Sequence, residues 1–316
     1  MNFDTRFITR MNIAPTLPVK FPLIWLLSLW LCLSLSIPAA AGARVDQLGR
    51  RVSVPDDPAR VISMAPSITE IIYALQEENR LKGATLYSDY PAAAKKLPRI
   101  GFYVRLDIER ILALNPDLCI ATRDGNPKAI VDRLSSLNIP VYVVNPHDLD
   151  SILDTILKIG SILNADHKAK ILVGDLGRRI QRVKNRAAQS VYRPRVFFQI
   201  GISPIVSAGT GTFIHQLIDA AGGTNLAAGS YAYPRFSKEQ VLALVPDVII
   251  ITSMARQAVF EQVRDEWRRW PDIPAVRDER IYLVDSDLFD RPSPRLVSGL
   301  ELLIRLIHPE LTDQTQ

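Results

Sequence analysis

Six short apolar runs, at 60–64, 118–122, 141–144, 196–200, 248–252 and 281–284, are separated by longer segments whose apolar positions recur at helical spacing. A strand buried on both faces needs such a run of four or five apolar residues, and the segments between are long enough to form helices covering those faces. The pattern predicts an α/β fold of parallel strands with helices on both sides. After the first run, Pro66 precedes Ser67, and Glu70 follows ahead of Ile71, Ile72, Ala74 and Leu75. This spacing predicts a helix with Ser67 as N-cap and Glu70 closing a capping box.

The pattern also repeats. Residues 109–122 (ERILALNPDLCIAT) and 239–252 (EQVLALVPDVIIIT) align without a gap at an offset of 130, with eight of fourteen positions identical. Each copy reads as a short helix closed by Pro-Asp and followed at once by a buried strand. Two copies at this separation predict two similar α/β lobes, not a solenoid. Between them, 164–190 is highly charged, lacks proline and spaces Ile171, Leu172, Leu176, Ile180 and Val183 helically, which predicts one long connecting helix despite Gly174 and Gly177. The lobes are then 44–163 and 191–316, with a ligand cleft between them. Glu109 and Glu239 hold equivalent places in the repeat, in the first helical turn behind Asp107 and Ser237, where caps and the helix dipole favour acids.

Ahead of the first lobe, residues 21–38 form an uncharged apolar stretch preceded by Arg6, Arg10 and Lys20 and followed by Ala39-Ala40-Ala41-Gly42-Ala43. A cleaved secretory leader and a signal anchor share the apolar stretch, and the small residues after it favour a leader of residues 1–43, cut after Ala41 or Ala43. Its removal takes away three basic residues and Asp4, so the formal charge falls from +5 to +3 and the basic balance gives no case for nucleic acid. Cys32 sits among large apolar residues, unlike a lipidation site, and Cys119 is then the one cysteine of the exported chain. Its neighbours Leu118, Ile120 and Ala121 predict a buried, unreactive thiol.

The remaining chemistry is sparse. His147, His167, His215 and His308 are far apart and form no metal-ligand spacing. The stretch Ser207-Ala208-Gly209-Thr210-Gly211-Thr212 resembles a phosphate loop but lacks a Walker lysine, and reads as a tight turn with Thr212 capping the helix that follows. No Gly-x-Ser-x-Gly elbow or His-Glu-x-x-His helix is present, which argues against an exported hydrolase, although a triad assembled in space leaves no local motif.

Ser63-Met64-Ala65-Pro66-Ser67-Ile68-Thr69-Glu70, Ser88-Asp89-Tyr90-Pro91, the internal repeat, Ser237-Lys238-Glu239-Gln240 and Ser293-Pro294-Arg295 together resemble the exported substrate-binding proteins of ABC importers for corrinoids, haem and iron siderophores, over about residues 60–311. Ser-Asp-Tyr-Pro points to the branch that binds cobalamin (vitamin B12). The resemblance implies two lobes joined by one helix, a periplasmic location, no catalysis and no resident cofactor or metal. It further implies a corrinoid-like ligand, with haem or a siderophore as alternatives, and an ABC permease and ATPase complex in the inner membrane as partner. Glu109 and Glu239 match the acids with which each lobe meets one permease subunit, which implies a monomer and leaves Glu70 outside the docking set.

The ligand contacts of that branch correspond to Tyr87, Tyr103, Thr122, Ile205, Tyr233, Asp287, Leu288 and Arg291. Tyr87, Asp287 and Arg291 keep the residue type. At 103 and 233 tyrosine replaces tryptophan, at 122 and 288 tryptophan gives way to Thr and Leu, and at 205 Ile replaces phenylalanine, so part of the aromatic wall is lost. The tyrosine that ligates iron in haem-binding relatives corresponds to Phe102; Tyr103 is adjacent, but neighbours on an extended segment point to opposite sides.

Overall fold

The structure is a computed structural model that describes residues 41–252 and 257–311; residues 1–40 of the expected leader (1–43) lie outside them. In the N-terminal lobe, β1 (Ala41–Val45), β2 (Arg51–Pro55) and β3 (Val61–Ser63) lead to α1 (Pro66–Ala74), β4 (Leu81–Ala84), β5 (Gly101–Phe102) and β6 (Arg105–Leu106). Then follow α2 (Ile108–Ala113), β7 (Leu118–Thr122), α3 (Lys128–Ser136), β8 (Val141–Val144) and α4 (Leu149–Ile162). The connecting helix α5 (Asp166–Ala187) leads to β9 (Arg195–Gly201), β10 (Ile205–Ser207), α6 (Phe213–Ala220), β11 (Thr224–Asn225), β12 (Arg235–Phe236) and α7 (Lys238–Ala243). The chain closes with β13 (Val248–Ile251), α8 (Gln257–Trp267), α9 (Pro274–Arg277), β14 (Ile281–Leu283), α10 (Ser286–Phe289) and α11 (Arg295–Ile307). Ala41, Gly42 and Ala43, small residues at the expected end of the leader, pair with Pro55, Val54 and Ser53 as part of β1.

The N-terminal sheet runs β4-β3-β7-β8, all parallel. The C-terminal sheet is parallel only in part: β9, β13 and β14 run parallel, while β10 is antiparallel to β9 and β12 to β10. Only residues 202–204 separate β9 from β10, far too few for a parallel crossover, so the chain must return antiparallel. The repeat occupies equivalent places in both sheets. Asp117 accepts backbone N–H bonds from Ala59 and Arg60 (2.7 and 2.9 Å) at the start of β3, and Asp247 accepts one from Arg195 (2.7 Å) at the start of β9.

Alternate residues of the central strands enter different cores. Leu118 and Ile120 of β7, Tyr142 and Val144 of β8, Val196 and Phe198 of β9, and Val248 and Ile250 of β13 all join one cluster with α1, α4, α5, α6 and α11. Cys119, Ala121, Val141 and Val143 face a second core with α2 and α3, and Phe197, Ile249 and Ile251 a third with α8. The two lobes therefore share one apolar core as well as the connecting helix. That helix buries Ala169, Leu176, Ile180, Val183 and Ala187 along one stripe, and Arg179 clasps Glu301 of α11 at 2.7 and 2.9 Å. Gly177 lies where a Cβ would meet nothing, so it costs the helix propensity but no packing. Gly160 of α4 faces Ala169 too closely for any Cβ, which sets the close crossing of α4 on α5. Among the described residues no helix is long and apolar enough to cross a membrane.

The helix expected after the first strand forms, but its start differs. Pro66 takes the first helical position and Ala65 the N-cap, without a side-chain cap bond, and Ser67 lies inside the helix. Proline's fixed φ suits that first position, which moves the cap one residue ahead of Pro66. Glu70 makes no capping box; it is 3% exposed and turns its carboxylate towards the other lobe.

Candidate ligand-binding cleft

The carboxyl ends of the strands in both lobes face a cavity of about 450 Å³. Ala65 to Ser67 after β3, Tyr87 and Asp89 after β4, Tyr103 after β5, Thr122, Asp124 and Gly125 at the end of β7, and Pro146 after β8 line it from the N-terminal lobe. Phe213, Tyr233, Ser286, Asp287 and the segment from Asp290 to Pro292 line it from the C-terminal lobe. Ligands of open α/β sheets bind at these strand ends, where loops can reach without disturbing the ladder.

Six of the eight expected contacts meet there: Tyr87, Tyr103, Thr122, Tyr233, Asp287 and Arg291. Ile205 is 7% exposed in the core beneath β10, and Leu288 packs inward against the shared core, so neither lines the cavity. Phe102 ends β5 and does not line the cavity, its ring lying 5.5 Å from that of Tyr87, whereas Tyr103 stands in the two-residue turn between β5 and β6 and not, as expected, on an extended segment. The Tyr103 ring lies over Gly125, which has φ +109° and no room for a Cβ against that ring. Asn126 fixes the same corner: its amide donates to the carbonyls of Met64 (2.9 Å) and Tyr103 (2.7 Å), while its oxygen accepts from the Thr122 N–H (2.8 Å).

The loop carrying Tyr87 and Asp89 is braced by buried hydroxyls. Thr69 Oγ1 lies 2.7 Å from Ser63 Oγ and 3.0 Å from Ser88 Oγ, and Thr85 Oγ1 is 2.9 Å from Ser88 Oγ. Arg99 donates to the carbonyls of Thr85 and Ser88 at 2.7 and 3.0 Å. Each hydroxyl thereby finds a partner that its burial demands.

An ion network joins the lobes at one side of the cavity. Arg291 Nη1 donates to Glu70 (3.1 Å) and Asp89 (2.9 Å), and Nη2 lies 2.8 Å from Asp287. Ser293 Oγ donates to Glu70 at 2.6 Å, and the Arg295 guanidinium stacks 4.0 Å from the Tyr90 ring centre. Burial pushes the Glu70 and Asp287 carboxyls above the usual range, against the pull of Arg291. Asp290, enclosed beside them with one bond from Thr252 (3.3 Å), is pushed up to about 7 by burial. Burial likewise raises the Tyr233 phenol, helped by the Asp124 and Asp290 carboxylates, so it stays protonated at neutral pH.

Sequence reasoning did not single out Glu70, Asp124 or Asp290 for this cleft, and quoted Asp89 only as part of a motif. Glu70 carried a misleading local signal, since Ser-x-x-Glu reads as a cap. Glu109 and Glu239 are exposed in the first turns of α2 and α7, behind Asp107 and Ser237, whose side chains accept from Arg110 N–H (3.1 Å) and Gln240 N–H (3.2 Å). The Ser237 hydroxyl holds the Glu239 carboxyl below the usual range. Thr212 caps α6 as expected, accepting from the His215 N–H at 3.2 Å. Cys119 is fully buried, and burial pushes its thiol up to about 12.

Two similar lobes that share a helical layer and close on an aromatic and acidic cavity at their strand ends define a two-lobed ligand-binding protein. The chain belongs to the periplasmic binding protein family, whose profile matches residues 61–288. It is 31% identical over 245 residues to a vitamin B12-binding protein of Yersinia pestis, covering 77% of this chain and 84% of the relative. Among solved structures it is similar to a periplasmic vitamin B12 binding protein of Vibrio cholerae, with TM-score 0.73 and 30% identity over 82% of this chain and all of that one. It is also similar to a periplasmic heme-binding protein of Roseiflexus, with TM-score 0.71 and 28% identity over 80% of this chain and 99% of that one.

Proposed function

We propose that this protein is an exported receptor that captures a cobalamin-like corrinoid between its lobes and delivers it to an ABC permease in the inner membrane, without catalysing a reaction. The observation that carries the reading is the meeting of Tyr87, Tyr103 and Tyr233 with Asp287 and Arg291 around one interlobe cavity. Flat macrocycles need aromatic area with a few polar groups at the rim, and this cavity supplies both. The vitamin B12-binding relatives support the same ligand. Glu109 and Glu239 belong to this reading as the docking acids of a monomer. A leader ending near residue 43 and membership of the periplasmic binding protein family support a periplasmic location.

Haem is the second reading, supported by the heme-binding neighbour and by Tyr103, a phenol facing the cavity. Titration with cyanocobalamin and with haemin, followed by calorimetry and the visible spectrum, separates the two. One-to-one binding of cyanocobalamin is expected. A tyrosinate-type haemin spectrum without cobalamin binding would move the protein to the haem reading.

A further inference from the structure

Five residues that line the cavity carry formal charge: Asp89, Asp124, Asp287, Asp290 and Arg291. Arg291 is the one cation among the described lining residues, and its side chain is only 13% exposed. Both terminal nitrogens already face carboxylates, Nη1 towards Glu70 and Asp89 and Nη2 towards Asp287. Arg295 stands behind the lining, 3.5 Å from Glu70 and 3.8 Å from Asp287. Among the described lining residues no guanidinium is therefore left over for an acid on the ligand. Asp124, by contrast, is exposed and has no hydrogen-bond or ion-pair partner among the described residues, and Asp290 accepts a single bond from Thr252. What the cavity offers a ligand is acceptor oxygens and negative potential, framed by tyrosine rings.

From this charge census we infer that the cleft selects its ligand by the charge of the ligand's rim, accepting a macrocycle edged with amide N–H donors and rejecting one edged with carboxylates, with Asp89, Asp124 and Asp290 as the discriminating residues. The inference rests on the corrinoid reading and narrows it. A corrin carries primary carboxamides around its edge, each able to donate to an aspartate in a charge-assisted bond. A porphyrin with propionates, or an anionic siderophore, would set like charges together in a partly desolvated site. Rejection built from repulsion works without a tailored clash.

The test keeps the size and shape of the ligand constant. Mild hydrolysis converts one peripheral amide of cyanocobalamin to a carboxylate, and the resulting monoacids are titrated against the chain expressed with its own leader and purified after export. Cyanocobalamin should bind, and at least one monoacid should bind about tenfold more weakly or worse at low salt, the penalty shrinking in 0.5 M salt. Asp124→Asn, or Asp290→Asn measured at pH 8.5 where Asp290 is ionised, should narrow the gap between amide and acid for the isomer each one faces, even if either change weakens both ligands. Monoacids that all bind within twofold of cyanocobalamin would overturn charge selection and leave the corrinoid reading intact. Failure of cyanocobalamin itself would remove the corrinoid reading, and tight haemin binding in that case would overturn charge selection as well.

Discussion

Glu70 of the N-terminal lobe and Arg291 of the C-terminal lobe meet at 3.1 Å, with 2% and 13% of their side chains exposed. The pair is flanked by Ser293 on Glu70 and by Asp89 and Asp287 on Arg291, so the Arg291 guanidinium sits among three carboxylates from two lobes, with Arg295 further off at 3.5 Å from Glu70 and 3.8 Å from Asp287. Removing Arg291 takes from the buried Glu70 its nearer guanidinium and leaves Arg295 as the remaining described cation beside it, a loss of about 3 kcal/mol. Removing only the charge of Glu70 leaves an amide that still bonds Ser293, a loss of about 1–2 kcal/mol. Urea unfolding of Arg291→Ala and Glu70→Gln should therefore rank the first well below the second. Arg291→Ala should also lose ligand affinity. Equal midpoints for wild type and Arg291→Ala would mean that the network does not hold the lobes together.

Asp290 makes stability depend on pH. Its carboxyl is raised to about 7 in the folded chain, above the ordinary value of an unfolded aspartate, so the fold favours the protonated form. The stabilisation is complete below the unfolded value and is lost as pH rises through about 7. Between pH 5 and 8.5 this one group should cost on the order of 1–3 kcal/mol, roughly 3–8 °C of melting temperature in a chain of this size. Asp290→Asn, which stays neutral, should melt higher than wild type at pH 8.5 and lie closer to it at pH 5. Parallel pH profiles for the two proteins would remove Asp290 as the source.

How far these features can be read from the sequence depends on how local their causes are. The strands around Leu118, Val141, Val196 and Val248 were legible because burial on both faces demands an uninterrupted apolar run. Leu81–Ala84 was not, since Lys82 and Gly83 interrupt its pattern, and the pairings of β10, β11 and β12 involve two or three residues each. The connecting helix was legible from its helical spacing, of which Leu176, Ile180 and Val183 are buried as expected while Ile171 faces solvent and Ala169 and Ala187 complete the stripe. Glu70 was misread because its nearest motif partner, Ser67, is three residues away while its actual partners lie more than 200 residues further on. Tyr103 and Tyr233 were reached by family resemblance; nothing in their own neighbourhood distinguishes them from packing tyrosines.

Gly125 should be intolerant of even one added carbon. Its φ of +109° disfavours any side chain, and the Cβ would collide with the Tyr103 ring that forms the cavity wall. Gly125→Ala should cost about 1–3 kcal/mol of stability. The displaced ring should weaken cyanocobalamin binding about three- to tenfold. A variant with unchanged affinity would show that the Tyr103 ring does not touch the ligand.

Cys119 lies between Ile62 on β3 and Val141 on β8, fully buried, with its thiol pushed up to about 12. The thiolate that alkylating reagents need is therefore scarce, and access is closed. The native chain should resist a thiol reagent at pH 8 and titrate one thiol per exported chain once unfolded in urea. Rapid native labelling would show that the N-terminal sheet opens far more readily than its packing implies.

The last prediction concerns delivery. Glu109 and Glu239 occur at the same position of an internal repeat, each in the first turn of a short exposed helix, and each helix keeps its own cap in Asp107 or Ser237. Because the caps and the buried Ile111 and Val241 anchor those helices, the acids can be removed without unfolding them. The double variant Glu109→Ala, Glu239→Ala should bind ligand as wild type does and melt nearly as high, yet fail to support uptake in cells. Each single variant should reduce uptake less, since a two-fold permease would still be held by the other lobe. Normal uptake by the double variant would show that the repeat conserves these acids for helix formation alone, and would move the docking surface elsewhere on the lobes.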